Sequence, residues 1–300
     1  MTAAALSGEL LADEDAPRRR SFARALFAGP APFAGAAIGA AVLLCALLAP
    51  LLAPHDPDAQ NLALAQRPPM WLAGGDRAYV LGTDDLGRDI LSRIIWGARV
   101  ALIVGFSVVA IGGTIGVTFG LLAGYLGGFV DEVIARFADI QLAFPLVLLA
   151  IAVVGVVGPS LWTIIGTLGL TSWVQYVRVV RAETLALRDR EFVQAAVATG
   201  LAPPRIMLRH ILPNVASSIS VLATFEVARA IILESALSFL GLGVPQSVPS
   251  WGAMLADGRQ YLDTSWWLGL FPGLAISLTV LGVNLFGDGL RDALDPRSRD

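Results

Sequence analysis

The charged side chains inside the apolar parts of the chain are the first candidates for chemistry. Glu226 and Arg229 stand three residues apart in an apolar stretch, and Glu234 follows two helical turns after Glu226. On a helix, residues three apart meet on one face. A charge at the middle of a bilayer costs about 2.5–3.5 kcal/mol on insertion scales, so these side chains must face protein or a water-filled path. Two readings stand side by side: a translocation path, or a structural ion pair within one helix. All 21 basic residues are arginine. A GxxxxGK[ST] phosphate loop needs its lysine to reach the phosphates, so nucleotide chemistry must come from another protein. The single cysteine, Cys45, lies in an apolar run and reads as a small buried hydrophobe. Asp84 and Asp85 lack the spacing of a calcium loop and read as a solvated turn. No metal site, bound cofactor or catalytic residue is expected.

The elements that must hold these residues are membrane helices. Of 300 residues, 56% are hydrophobic and 15% charged, with a mean hydropathy of +0.70, too apolar for an ordinary soluble domain. Six apolar runs are long enough to span, at residues 33–53, 100–122, 133–155, 161–180, 215–240 and 267–286. Residues 1–32 read as an N-terminal tail, 54–99 as an extramembrane loop, 100–290 as a five-helix core and 291–300 as a C-terminal tail. From Asp89 onward, Ile90, Leu91, Ile94, Ile95 and Ala98 share one face, while Ser92, Arg93 and Arg99 take others. That pattern predicts an interfacial amphipathic helix before the second span. In the second span Gly112, Gly116, Gly120 and Gly124 recur every fourth residue, a groove that lets another helix approach closely. Trp251, Tyr261, Trp266 and Trp267 are expected in an aromatic belt at the span ends.

Between the fourth and fifth runs lies an arginine-rich island, Arg188 to Asn214, within a loop at 182–214. Phe192, Ala195, Ala196 and Thr199 predict one small-residue face on a first short helix. Gly200 is placed to end it in the left-handed conformation, and Pro203–Pro204 to start the next. The second helix, Pro203 to His210, carries Ile206, Met207 and Leu208 between Arg205 and Arg209 and is expected to stop near Pro213. Three large apolar side chains flanked by arginines read as a knob for docking a partner protein.

The island resembles the EAA loop of the membrane subunits of binding-protein-dependent ABC importers. The match rests on Glu191, Ala195, Ala196, Gly200, Leu212 and Pro213, and HILPN at His210 to Asn214 is the form usual in the dipeptide, oligopeptide and nickel branch. LGTDDLGRDILSRIIWGAR (81–99), ESALSFLGLGVPQSVPSWGAMLADGR (234–259) and GDGLRDALDPR (287–297) resemble the same branch. The resemblance implies an all-α, polytopic type I importer permease with six transmembrane helices. It implies a coupling segment at Pro203, Pro204, Arg205, Ile206, Met207, Leu208, Arg209 and His210 that seats in an ATPase subunit. The implied partners are a second homologous permease, two cytoplasmic ABC ATPases that carry ATP and Mg, an extracytoplasmic substrate-binding protein and membrane lipid, with no nucleic acid. Peptides are the implied solute, with nickel or another small solute as alternatives within the family. An ion-coupled secondary transporter using Glu226, Arg229 and Glu234 is the alternative outside it, and a non-transporting scaffold is a third.

Arginine placement sets an expected orientation. Six spans with both termini in the cytoplasm put Arg18, Arg19, Arg20, Arg24, Arg178, Arg181, Arg188, Arg190, Arg205, Arg209, Arg291, Arg297 and Arg299 inside. Arg67, Arg77, Arg88, Arg93, Arg99 and Arg259 then lie outside. The excess puts the docking loop in the cytoplasm of a bacterial inner membrane.

Overall fold

The computed structural model describes Leu26, residues 29–245 and residues 247–294. Most of the expected N-terminal tail and residues 295–300 of the C-terminal one lie outside this range. The described residues are nearly all helical: α1 (Pro30–Leu47), α2 (Ala49–Leu52), α3 (Ile90–Leu126), α4 (Gly128–Leu142), α5 (Leu146–Val157), α6 (Leu161–Arg188), α7 (Glu191–Ala198), α8 (Pro203–Ile206), α9 (Leu212–Phe239), α10 (Trp251–Gly258) and α11 (Trp267–Leu294). Among them only one isolated bridge, Thr83 with Asp89, shows strand pairing.

Four described stretches are long and apolar enough to cross a membrane: α1, α3, Pro203–Phe239 and α11. A fifth results if α4 and α5 count as one span bent by 81°. The expected continuous run at 133–155 is therefore broken. Pro145 has no N–H to donate and pushes the residue before it out of the helical region. The 28-residue α6 is long enough but too polar to qualify. The expected interfacial helix also merges with its span, because α3 runs unbroken for 37 residues, roughly 55 Å at 1.5 Å per residue. A bilayer core is about 30 Å thick, so one end of α3 projects beyond it.

The core forms where α6 lies parallel to α3 in a constant register of about sixty residues, read directly from facing pairs: Gly112 against Ser172, Gly116 against Tyr176, Gly120 against Val180 and Gly124 against Thr184. A Cβ at Gly120 would sit 2.7 Å from the Val180 Cβ, and one at Gly124 2.6 Å from the Thr184 Cβ. Neither approach is open to a real side chain. α9 packs antiparallel on α3, with Val227 near Gly105 at one end and Val215 clustered with Leu121 at the other. α1 lies antiparallel along α11, Gly35 against Phe286 and Gly282 against Ile38. Cys45 is half-buried against the cluster of Ile90, Ala98 and Ile231, as a small hydrophobe.

The ends of α1, α3, α9 and α11 meet at one pole, beneath the segment 54–89. Asp89 caps α3 by accepting from the Ser92 N–H (3.0 Å) and Oγ (2.6 Å). The Trp251 indole N–H donates to the Ile94 carbonyl (2.9 Å) and that of Trp267 to the Thr83 carbonyl (3.4 Å). These two tryptophans, expected in an aromatic belt at the span ends, are 3% and 5% exposed and belong to the core. The reading of Asp84–Asp85 as a solvated turn fails likewise for Asp84, which is buried. Arg88 Nε donates to Asp84 Oδ2 at 2.6 Å, and Arg88 also lies 3.6 Å from Asp257 and 3.9 Å from Asp85. Arg93, expected on an outer face, is 1% exposed, donates to the Pro57 carbonyl (3.1 Å) and faces Asp58 at 3.6 Å and Asp84 at 3.8 Å. Burial, then the negative charge of Asp85, pushes the Asp257 carboxyl above the ordinary carboxylate range, against the pull of Arg88 and Arg93.

Three outcomes follow. Gly116→Val, which must displace Tyr176, destabilises the protein by roughly 1–3 kcal/mol or more, whereas Gly39→Ala, in open space, is neutral or mildly stabilising; reversible unfolding in detergent compares them. Arg88→Met leaves buried carboxylates uncompensated at a cost of about 3–5 kcal/mol, read as protease sensitivity of the 54–89 segment. For Asp257 the folded pKa is the higher one. Its stability contribution is therefore present below the ordinary carboxylate range and lost as pH rises through the folded value. Asp257→Asn should gain stability relative to the wild type as pH rises across that window, and a difference constant with pH would contradict this.

Candidate functional site

The opposite pole holds the arginine-rich island, and its local sequence builds a hinge. α6 runs to Arg188, whose Nη1 donates to the Gly124 carbonyl at the end of α3 (3.3 Å). Two turns earlier, Arg181 grips Asp131 of α4 through one guanidinium edge, Nη2 to Oδ2 at 2.6 Å and Nε to Oδ1. The chain reverses at Asp189, where the Gln194 side-chain amide donates to the Arg188 carbonyl (3.0 Å). α7 ends in a Schellman turn: the Leu201 N–H donates to Ala196 O (3.2 Å) and the Gly200 N–H to Val197 O (2.9 Å), with Gly200 at φ +79°. Only glycine adopts that conformation without strain. Pro203 and Pro204 then open α8, where a missing N–H costs nothing.

The second helix does not stop near Pro213 as expected. Met207–Ile211 widens into a π-helical turn, in which the Leu212 N–H reaches back to the Met207 carbonyl, and α9 continues beyond it. An interior proline would clash with the carbonyl four residues earlier. The π turn accommodates Pro213 and fuses the island rigidly to α9. The Asn214 side-chain amide closes this turn on the His210 carbonyl (2.6 Å).

Burial divides the residues singled out from sequence into two sets. Ile206 (1% exposed) and Met207 (8%) turn inward, with Ile211 and Val215, onto Leu121 of α3, Val180 of α6 and Val193 and Ala196 of α7. The three-residue knob is thus reduced to Leu208, which is 59% exposed. The small face of α7 is also rotated from its expected position: Val193 and Ala196 are buried, and Phe192, Ala195 and Thr199 face out. Both sets fit a helical period, and only the tertiary partner selects one. The outward surface of the hinge therefore presents Phe192, Val197 and Leu208 among exposed Glu191, Pro203, Pro204, Arg205 and Arg209.

The charges of α9 separate likewise. Arg229 Nη1 donates to Glu226 Oε1 at 2.9 Å, with Glu226 buried and Arg229 side chain 44% exposed. Glu234 joins neither. It is 2% exposed and accepts from the hydroxyls of Ser238 (2.7 Å) and Ser235 (3.3 Å). At the other pole, sequence reasoning missed a cleft of ≈ 760 Å³ lined by His55, Asp56, Asp58, Trp96, Arg99 and the segment 247–249. Its walls come from three separate stretches of chain, so no local pattern announces it.

Comparison with known proteins sets this geometry in a family. The family model described as "Binding-protein-dependent transport system inner membrane component" matches residues 116–300, and that of the "N-terminal TM domain of oligopeptide transport permease C" matches residues 18–69. A di/tripeptide transport system permease protein of Pseudomonas aeruginosa is 44% identical over 259 residues, which cover 86% of each chain. A dipeptide transport system permease protein of Escherichia coli K12 is 44% identical over 256 residues, 85% of each chain. Among solved structures, the inward-facing MetNI methionine ABC transporter aligns with a TM-score of 0.54 at 18% identity, covering 68% of this chain and 97% of that one, which shows a shared fold. With most of its length matched by the family model and by relatives at this identity, the chain belongs to the inner membrane components of binding-protein-dependent transport systems.

Proposed function

We propose that the chain is one permease subunit of an ATP-driven importer of di- and oligopeptides. In this reading it crosses the membrane six times with both termini in the cytoplasm, α6 and the bent α4–α5 pair each counting as a span. A second homologous permease forms the other half of the path, two ATPases carry ATP and Mg, and a binding protein delivers peptide at the 54–89 pole. The names of the relatives, peptide permeases at 44% identity, support the solute class.

The observation that carries the reading is the two-sided hinge. Its outward side offers Leu208 between Arg205 and Arg209, with Val197 of α7 also exposed, while its inward side locks Ile206 and Met207 onto α3, α6 and α7. Shifting a two-state permease from 1:99 to 99:1 takes about 5.5 kcal/mol of differential interaction. A loose loop would dissipate that bias. A hinge seated on three helices and continuous with α9 transmits it. Glu226 and Arg229 lie further along α9, where an ion pair with one half-exposed partner suits a path wall.

The test is ATPase activity and peptide uptake by the assembled complex in lipid, with binding protein and a panel of dipeptides, longer peptides and Ni²⁺. Leu208→Asp should insert and assemble its helices normally yet weaken ATPase association by about 2 kcal/mol or more, roughly 30-fold. Met207→Asp should instead lower the stability of the permease itself, since that side chain is interior. Normal peptide-stimulated ATPase in Leu208→Asp would refute the coupling assignment. Proton-driven uptake without any ATPase would favour an ion-coupled mechanism.

A further inference from the structure

Among the exposed large hydrophobic residues of the 54–89 segment Leu62 stands alone, whereas Met70, Trp71 and Leu72 are adjacent. These three are 47%, 54% and 37% exposed. They sit on a tight turn: the Leu72 N–H donates to Pro69 O (2.9 Å), the Gly75 N–H to Leu72 O (3.0 Å), and the Met70 N–H to Val80 O (3.2 Å). The apolar side chains are therefore held out by a rigid backbone.

What lies beside them identifies the occupant of this surface. The Trp71 ring meets Phe271 edge-on at 6.2 Å, and Phe271 meets Trp266 at 6.1 Å. Phe271 is in the second turn of α11, a helix apolar enough to cross a membrane. Down the same helix Leu270, Leu274, Leu278 and Leu281 are 44–50% exposed at i, i+4, i+8 and i+11. One apolar strip thus runs from the exposed leucines of a span, through Trp266, to the turn. At its far edge Asp76 and Arg77 are exposed, and Asp76 is spent capping the Ala78 N–H (2.9 Å).

We infer that the Met70–Leu72 turn is a membrane anchor, seated in the headgroup region of the leaflet on its own side. An apolar strip continuous with a span, topped by tryptophan and then by charge, follows the polarity gradient of a lipid interface, where amphipathic rings are enriched. Interfacial segments seat on the order of 5–10 Å into the headgroup–acyl boundary, a depth the first turns of α11 share. The anchor holds the 54–89 segment down over the pole while Asp76 and Arg77 stay in water. This inference depends on the membrane location of the family and is independent of the coupling assignment.

Site-directed spin labelling tests it on the assembled complex in phospholipid nanodiscs. On a Cys45→Ala background, a nitroxide at Met70→Cys should collide with oxygen several-fold more than with a water-soluble nickel chelate, and one at Asp76→Cys should show the reverse. Equal nickel access at both positions would overturn the proposal. So would shielding of Met70→Cys from both reagents, the signature of a protein cover such as the second permease, or shielding that arises only when binding protein is added. Should the labelled variants fail to assemble, brominated lipid provides a second reading. Trp71→Phe must then lose part of the tryptophan quenching seen in the wild type, and unchanged quenching overturns the anchor.

Discussion

The close approach of α3 and α6 is the contact on which the rest of the molecule depends. Lipid gives apolar helices no hydrophobic reason to associate, so association rests on how closely their surfaces fit. Gly112, Gly116, Gly120 and Gly124 remove every side chain from one face of α3 over about three turns, and Ser172, Tyr176, Val180 and Thr184 of α6 occupy that space. Because the two helices run parallel, the chain must return between them, and the α4–α5 pair bent at Pro145 makes that return. Arg181 of α6 bonded to Asp131 of α4 fastens the return to the paired helices.

The two poles are held by different physics, each suited to its surroundings. At the hinge, apolar side chains from five elements converge on Leu121 and Val180, and the polar groups point outward. At the opposite pole, buried arginines organise the structure: Arg88 and Arg93 collect carboxylates from residues as distant as Asp58 and Asp257. Such an arrangement sets geometry more than it adds stability, since desolvating the ions offsets much of their attraction. It fixes the segment 54–89 over the ends of α3 and α11, and so fixes the cleft beside Asp56, Asp58 and Arg99.

Features governed by local chain chemistry were legible in the sequence. The glycine period, the left-handed turn at Gly200, the proline start of α8 and the meeting of Glu226 with Arg229 all depend on residues within a few positions of one another. Features decided by distant partners were not. Ile206 and Met207 looked like an exposed knob because a helix so short carries no period to mark its inner face, and the surfaces that bury them come from α3, α6 and α7. Asp84 read as part of a solvated turn because the groups that enclose its partner Arg88, Asp257 among them, lie far along the chain. Trp251 and Trp267 fit a belt by position but find backbone carbonyls in the interior. Pro213 misled for a different reason, as a single π turn absorbs a proline that a regular helix would reject. Pro145 was visible, yet the apolar run around it outweighed it.

In the coupling proposed above, the hinge and the α3–α6 pair move as one body. A distance measurement between spin labels at Gln194→Cys on α7 and Thr118→Cys on α3, both exposed positions, tests it directly in the Cys45→Ala complex with and without ATP. A rigid linkage gives one narrow distance distribution that stays unchanged as the ATPases close. A distribution that broadens or shifts with ATP would mean that the hinge slides on the bundle, and the rigid linkage would be wrong.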